Sequence, residues 1–247
     1  MFHFQSLRYL LVIFFVVTVS LSTTYAQQRF SVGPRVGLNL SNFWGNADNF
    51  HYRPGLSAGA FVMYSSVNHF GLSADVLFSQ RGARYDGPIP PYNGVVLNRL
   101  RINQRVNYLE VPVVARYFLT LSGNFRPNVF IGPSLGVRLS AKRTDAKLNG
   151  TDAPGYNAQN SADFQNFDLG ATAGFQLNFH AGHRQHFLID GRYTLGLTNV
   201  KSGLPNVFAD TYGPLSNLRN STFTLALGYS FGVGRDHPSR YTAPARR

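Results

Sequence analysis

The sequence predicts an all-β fold, an eight-stranded antiparallel up-and-down transmembrane β-barrel, on three observations. Eight segments alternate apolar and polar residues with the period of two that a β-strand imposes. The connections between them alternate long and short, which is typical of a barrel with short periplasmic turns and long extracellular loops. The charged residues within the segments share one parity, opposite to the apolar face. The surface charges of a soluble sandwich explain neither this parity nor the balance of signs.

The first four strands are bounded by polar connections. The first is predicted over residues 30–41, where Phe, Val and Leu alternate with Ser, Gly, Arg and Asn. A long polar connection leads to the second, residues 55–64, and a tight turn leads to the third, 69–81. After a loop with Pro and Gly, the fourth covers 106–118 and reads VNYLEVPVVARYF, which sets Leu, Val and Tyr opposite Glu and Arg.

The last four strands repeat this arrangement. A short turn leads to the fifth, residues 128–140, and a polar loop leads to the sixth, 167–179, the most regular of the eight. A short turn through Gly182 precedes the seventh, 187–200, and a loop precedes the eighth, 222–231. An even number of strands returns both ends of the barrel to the periplasm.

Three prolines, Pro34, Pro112 and Pro133, fall inside the predicted strands. Proline donates no ladder hydrogen bond, and a closed barrel has no edge strand to accommodate it. We therefore expect β-bulges at these positions, with a local shift of the inward and outward parity.

An aromatic residue stands at the short-turn end of seven of the eight strands, on the apolar face. Aromatic girdles of this kind mark the membrane interfaces of transmembrane barrels. The predicted periplasmic girdle comprises Phe30, Tyr64, Phe70, Tyr117, Phe179, Phe187 and Phe231.

The charged strand residues are predicted to face the lumen. An eight-stranded barrel has an interior that side chains fill, and buried charges are tolerated when they are paired and hydrogen-bonded. We expect an interlocked network with four charges of each sign, which leaves the barrel plugged. Its members are Arg35, Asp75, Glu110, Arg116, Arg138, Asp168, Asp190 and Arg192.

Residues 1–26 are predicted to be an export signal, with Arg8 in the positive region, an apolar core, and cleavage after Ala26. The barrel domain then covers 27–233. Residues 234–247, GRDHPSRYTAPARR, are predicted to be a flexible basic periplasmic tail. The localisation predicted from these features is the cell outer membrane.

The net charge of +12 and the pI near 10.3 suggest anionic partners. The Lys and Arg residues are scattered, and an exported chain does not meet nucleic acid, so we exclude nucleic acid as a partner. The expected partners are outer-membrane lipid and lipopolysaccharide. Contact with lipopolysaccharide phosphates is predicted for five arginines that flank the second long loop, with simple solubility of the rim as the alternative. They are Arg81, Arg84, Arg99, Arg101 and Arg105.

Other chemistry is weakly indicated. With no Cys, the chain has no disulfide and no thiolate metal site, and we expect no metal and no cofactor. His180, His183 and His186 surround a short turn at a spacing that matches no standard metal motif. His51 is the one loop histidine on the outer side, where a lipid hydrolase would need one.

Four segments of the chain resemble the PorT-like outer-membrane β-barrel family of Bacteroidota. They read GPRVGLNLSNF at 33–43, NYLEVPVVARYF at 107–118, FIGPSLGVRLS at 130–140 and IDGRYTLGLTNV at 189–200. The last of these is the most specific. The resemblance implies an eight-stranded outer-membrane barrel and, for some members, a role in secretion of proteins to the cell surface. The chain departs from the usual pattern because a tail follows the final aromatic residue, Phe231.

The sequence therefore predicts a non-enzymatic envelope or secretion-associated component with a plugged lumen, which acts with other envelope proteins. The alternative is a surface-exposed adhesive or ligand-binding barrel that acts through its four long extracellular loops. Exposed aromatic residues would then mark a protein-binding surface, namely Phe43, Trp44, Phe50, Tyr85 and Tyr92. A lipid-modifying barrel enzyme is the third possibility.

Overall fold

The structure, a computed structural model, describes residues 29–45, 49–66, 68–88, 98–120, 123–182, 184–201 and 217–233. The predicted export signal, 1–26, and the predicted basic tail, 234–247, lie outside the described residues. Within the described ranges no helix has the length and apolar character needed to cross a membrane.

Eight long strands form the fold, and they are connected by turns and by short pieces of structure. They are β1 (Arg29–Gly45), β2 (Arg53–Ser65), β3 (Phe70–Pro88), β4 (Arg99–Phe118), β5 (Asn128–Leu148), β6 (Phe167–Gly182), β7 (Gln185–Gly196) and β8 (Leu218–Val233). Two-residue strands lie at Phe50–His51, Thr151–Asp152 and Ala158–Gln159, and single 3-10 turns at Pro154–Tyr156 and Ser161–Asp163.

The sheet is closed. Each long strand pairs antiparallel with its neighbours in the chain, and β8 pairs with β1 from Gly45↔Leu218 to Phe30↔Val233. Because the last strand returns to the first, none of the eight presents an open edge along the barrel wall. The all-β antiparallel up-and-down barrel is thereby confirmed.

The two faces of the wall differ in the way that a membrane requires. On β1 the outward Val36 and Leu38 are exposed, whereas the inward Arg35 and Asn39 are buried. The same alternation continues around the ring, so the outside is an apolar band and the inside holds the polar and charged side chains.

Three strands extend far beyond their predicted outer ends. β3 continues to Pro88, β4 begins at Arg99, and β5 continues to Leu148, well beyond the apolar band. A membrane crossing needs only about 9–11 strand residues, so these segments stand outside the bilayer. We call residues 82–88, 99–107 and 140–148 the outer extension. In contrast, β7 ends at Gly196, earlier than predicted.

The expected bulges at the prolines are not found. The register of β1 with β8 is the same on both sides of Pro34, and that of β4 with β5 is the same on both sides of Pro112 and Pro133. The ladder is instead interrupted where glycine precedes proline. A Cβ on Gly33 would lie 1.7 Å from the carbonyl oxygen of Tyr229, so this close approach of two backbones requires glycine.

Candidate functional site

The lumen contains a quartet of buried charges from three regions of the wall. Arg35 contacts Asp75, and its guanidinium lies 3.6 Å from the Asp190 carboxylate. Arg192 donates two hydrogen bonds to Asp190, at 2.8 and 2.9 Å, and one to Asp75 at 3.0 Å. All four side chains are at most 4% exposed. Two cations and two anions therefore neutralise one another across the barrel.

Arg116 lies beside this quartet, and no carboxylate of the described residues is within ion-pair distance of it. Its guanidinium donates to Ser73 at 2.7 Å and to both Asn128 and Gln176 at 2.9 Å. It also lies 4.6 Å from the centroid of the Phe130 ring. Amide oxygens and an aromatic face satisfy a buried guanidinium where a carboxylate does not reach it.

A second ionic cluster lies nearer the outer end, and its cation is Arg81. Nη2 of Arg81 lies 2.5 Å from Oε1 of Glu110, and Nη1 lies 3.3 Å from Oδ2 of Asp168. Ser134 donates to Glu110, and Asn220 donates to Asp168 at 2.7 Å. The predicted contact of Arg81 with lipopolysaccharide is therefore wrong, because its side chain is 3% exposed and faces the lumen.

Arg138 is not part of the buried network, contrary to the prediction. The register between β4 and β5 shifts here, from Tyr108↔Arg138 to Asn107↔Ser140. The half-buried Arg138 instead donates to the Asn166 side chain at 2.5 Å and to the Gln165 carbonyl at 3.2 Å. A β-bulge re-aims the side chain beside it, which is the physical reason for the error. Arg81 restores the balance, so the buried lumenal network still has four charges of each sign.

Apolar side chains fill the lumen on both sides of the ions. The periplasmic group is Phe61, Met63, Phe118 and Leu188. The outer group is Phe43, Phe50, Ala83, Tyr85, Val106, Tyr108, Ala141, Phe164, Val200 and Leu218.

The outer apolar group corrects the hypothesis of an aromatic binding surface. Phe43, Phe50 and Tyr85 are buried and cap the lumen, with ring centroids of Phe43 and Phe50 5.5 Å apart. Trp44 is half-buried and donates to the Asn220 carbonyl, and Tyr92 lies outside the described residues.

The seven aromatic residues of the predicted girdle lie at the short-turn ends of their strands. Phe30 and Tyr64 have ring centroids 5.1 Å apart, and those of Phe70 and Tyr117 are 5.4 Å apart. Phe179 and Phe187 are directly paired across β6 and β7, and Phe231 is exposed at the end of β8.

Two of the predicted lipid-contact arginines are bound to a carboxylate on the outer extension. Arg99 donates to Asp86 at 2.6 Å, and Arg101 donates to it at 2.9 and 3.0 Å. Burial would raise the pKa of Asp86, but the two guanidiniums outweigh this effect and hold the pKa below its usual value. Asp86, Arg99 and Asn49 also line a surface pocket of about 360 Å³ at the end of the extension.

The other two predicted arginines face outward and have no such partner in the part of the chain that the structure describes. Arg84 is exposed on β3, and Arg105 is half-buried on β4, directly across from the exposed Lys142 of β5. The position of Lys142 in a strand was not predicted, because the predicted fifth strand ends at residue 140. The buried Arg53 at the start of β2 was also missed, since the predicted strand begins after it.

The described histidines form no recognisable site. His180 and His186 face each other across β6 and β7 with ring centroids 5.5 Å apart, and His183 lies outside the described residues. In the described part of the chain no three His, Cys, Asp or Glu residues are grouped as a metal site requires. His51 is exposed and has no hydrogen bond to a serine or acid among the described residues.

Several solved structures are similar to this chain. Neisserial surface protein A has 11% identity and a TM-score of 0.42, and the alignment covers 82% of this chain and 96% of that one. OprG from Pseudomonas aeruginosa has 12% identity and a TM-score of 0.42, covering 85% and 98%. The outer membrane protease OmpT from Escherichia coli has 8% identity and a TM-score of 0.42, covering 86% and 99%. No curated protein matches the chain.

The family is shown by the sequence itself. A family model described as outer membrane protein beta-barrel domain matches residues 25–202, which is more than half of the chain. This match agrees with the closed antiparallel wall, its apolar outer band and its charged interior. The protein is located in the outer membrane and belongs to the outer membrane protein beta-barrel domain family.

Proposed function

We propose that the protein is a non-enzymatic, non-conducting barrel that acts as a surface-exposed binding platform through its outer extension. The observation that carries this proposal is the combination of a filled lumen with three strands that continue beyond the membrane. A barrel whose interior is occupied by paired ions and apolar groups offers no route for solutes. The outer extension, which is the part of the barrel that continues past the membrane, is therefore the surface available for binding.

The outer extension has the order that a binding platform needs. The residues after β5 fold back onto it, with Lys147↔Asp152 and Arg143↔Ala158 paired as short strands. Asn160 and Gln104 exchange side-chain hydrogen bonds of 3.0 and 3.2 Å, which hold this segment against the inner face of β4. A preorganised surface loses little conformational entropy when it binds a ligand.

A tip-shortened variant tests this proposal. Residues 84–103 would be replaced by Asn-Gly, so that Ala83 and Gln104, which are paired in the structure, flank a two-residue hairpin turn. A strain lacking the gene would be complemented with the wild type or with this variant, and the proteins on the cell surface and in the medium would be compared. We expect the wild type alone to restore the parental pattern.

The secretion-associated role is the second candidate, and the resemblance of residues 189–200 to PorT-like barrels supports it. The same experiment separates the two. If the strain lacking the gene selectively loses exported cargo and the tip-shortened variant restores that cargo in full, the binding platform is contradicted and a periplasmic role in secretion is favoured.

In planar bilayers we expect no steady conductance from the wild type. A stable open channel would overturn the plugged lumen.

A further inference from the structure

A group of cations without ion-pair partners lies at the base of the outer extension. Arg105 and Lys142 are directly opposite each other on β4 and β5, and both have the outward parity of Leu109. Arg84 is diagonal to Arg105, because it pairs with Asn103 on the same two strands. Side chains in such cross-strand and diagonal positions are within reach of one another. The three cations thus form one patch over three adjacent strands.

Within the described residues, none of these three side chains forms an ion pair or donates a hydrogen bond. Nε of Arg105 is buried and has no hydrogen-bond partner. The buried Arg53 lies close enough for its electrostatic interaction with Arg105 to be unfavourable, and its Nη1 is also buried and unpaired. Directly opposed like charges destabilise a sheet, so this arrangement has a cost that an external anion would remove.

The carboxylates of this region are engaged elsewhere. Asp86 accepts from Arg99 and Arg101, and Asp152 pairs with Lys147. Asp145 accepts hydrogen bonds from Asn103 at 3.0 Å and from Thr144 at 2.9 Å. Asp145 interacts with Arg105 and with the neighbouring Arg53 only at longer range, so the three cations of the patch together with Arg53 keep a positive excess.

The height of the patch relates it to the lipid headgroups. Leu109 is the last outward apolar residue of β4, and Arg105 is four residues beyond it, about 13 Å along the strand. With the strand tilt of transmembrane barrels, Arg105 and Lys142 stand about 10 Å above the hydrocarbon edge. The headgroup layer occupies about 5–8 Å of each leaflet, and long cationic side chains extend toward it.

We propose that Arg105 and Lys142, with Arg84 above them and Arg53 beside them, bind phosphate groups of the glycolipid in the outer leaflet. Guanidinium and ammonium groups form charge-assisted hydrogen bonds with phosphate oxygens. The bound lipid fixes the base of the outer extension against the membrane surface. This inference rests on the proposed function, since it names the ligand class of the same extension.

The test uses the full mature protein in detergent micelles, titrated with purified lipopolysaccharide and with the same lipopolysaccharide after enzymatic removal of phosphate. The test variant is R105Q/K142Q. The matched control is R99Q/K147Q, which removes the same charge from the same extension but from cations that already have carboxylate partners. Heat-induced mobility shift on gels verifies that each variant is folded.

We expect R105Q/K142Q to weaken lipopolysaccharide binding by about tenfold or more, and R99Q/K147Q to bind like the wild type. Removal of phosphate should weaken wild-type binding to the level of the test variant. Unchanged binding by R105Q/K142Q, an equal loss in the control, or full binding of the dephosphorylated lipid would each overturn the inference. Preference for a soluble sulfated polysaccharide over lipopolysaccharide would reject the lipid as its source.

The tip-shortened variant separates this inference from the proposed function. It removes Arg84 but keeps Arg105, Lys142 and Arg53, so it should still bind lipopolysaccharide more tightly than R105Q/K142Q does, although it fails to complement. If it complements fully while R105Q/K142Q loses the lipid, the platform is wrong and the phosphate site is retained. If R105Q/K142Q binds normally while the shortened variant fails, the platform is retained and the phosphate site is wrong.

Discussion

Removal of Arg81 from the lumen should strongly destabilise the barrel. Arg81→Met keeps most of the side-chain volume but leaves Glu110 and Asp168 buried without their cation. At an effective dielectric constant of about 20, contacts of 2.5 and 3.3 Å correspond to roughly 5–7 kcal/mol of gross attraction each. Desolvation offsets most of this attraction, and breaking a buried pair on one side typically costs about 3–5 kcal/mol. We expect a loss in that range.

Restoring the charge balance shows whether Arg81→Met loses stability because of unpaired charges or because of a cavity. Glu110→Gln and Asp168→Asn added to Arg81→Met leave no uncompensated charge at this level of the lumen, so the triple variant should recover much of the stability. Arg138→Met is the matched control, because Arg138 is a half-buried arginine outside the network. Its loss should cost less than about 1 kcal/mol.

The assay is urea unfolding in lipid vesicles, followed by the fluorescence of Trp44, the single tryptophan of the chain. Its indole N–H donates to the Asn220 carbonyl in the folded wall, so unfolding changes its environment. The reasoning would be refuted by a cost of Arg81→Met below about 1 kcal/mol, or by an equal cost for Arg138→Met. It would also be refuted if the two neutralising substitutions deepened the loss.

Three further predictions concern other parts of the wall. Gly33→Val should prevent the folded mobility shift on gels, because its Cβ would overlap the Tyr229 carbonyl, whereas Gly191→Ala, with open space around it, should fold normally. Asp86→Asn should cost about 0.2–1 kcal/mol at pH 7, since its arginine partners are more than half exposed. The lowered pKa of Asp86 means that the carboxylate stabilises the fold fully above the unfolded-state value of about 3.9. In urea titrations the difference should shrink as the pH falls below that value and vanish below the lower folded-state pKa. Asn39→Ala should cost about 1–3 kcal/mol in the same assay, because its buried amide bonds to β2, β3 and β8.

The parity of the sequence was sufficient to place most of the lumenal charges. Asp75, Glu110 and Asp168 each follow the inward series of their strand, and the period of two brings them inside without knowledge of the register. Arg81 continues the same inward series two residues after Ser79, so the signal for it was present. The prediction places it at the rim because the predicted strand ends at residue 81.

The position of Arg138 was not readable from the sequence. A bulge adds one residue to one strand of a pair, and its position depends on how β4 and β5 meet. The prolines were a poor guide to bulges, since the register does not shift at Pro34, Pro112 or Pro133. Tertiary pairing, which a single strand does not encode, decided these details.

The outer extension was missed because its pattern is inverted relative to the membrane band. Beyond the lipid, the inward positions Leu100, Ile102 and Val106 are apolar and fully buried, while the outward Arg101 and Arg105 are polar. This is the pattern of a water-exposed sheet that covers a core. A strand prediction that requires apolar residues on the outward face assigns such a segment to a loop, although its side chains still alternate with a period of two.

The polar outward face of the outer extension also explains where the net positive charge of the chain is located. The lumenal network contains equal numbers of buried cations and anions, so it contributes nothing to the net charge of +12. The outward surface of the membrane band consists of apolar residues such as Leu38 and Ile131. The excess of cations must therefore lie outside the hydrocarbon layer, and Arg84, Arg105 and Lys142 are described members of that excess. These cations are excluded from the lumen and from the hydrocarbon, and their side chains are within reach of the headgroup layer. Anionic glycolipid is therefore the nearest source of counter-charge for them.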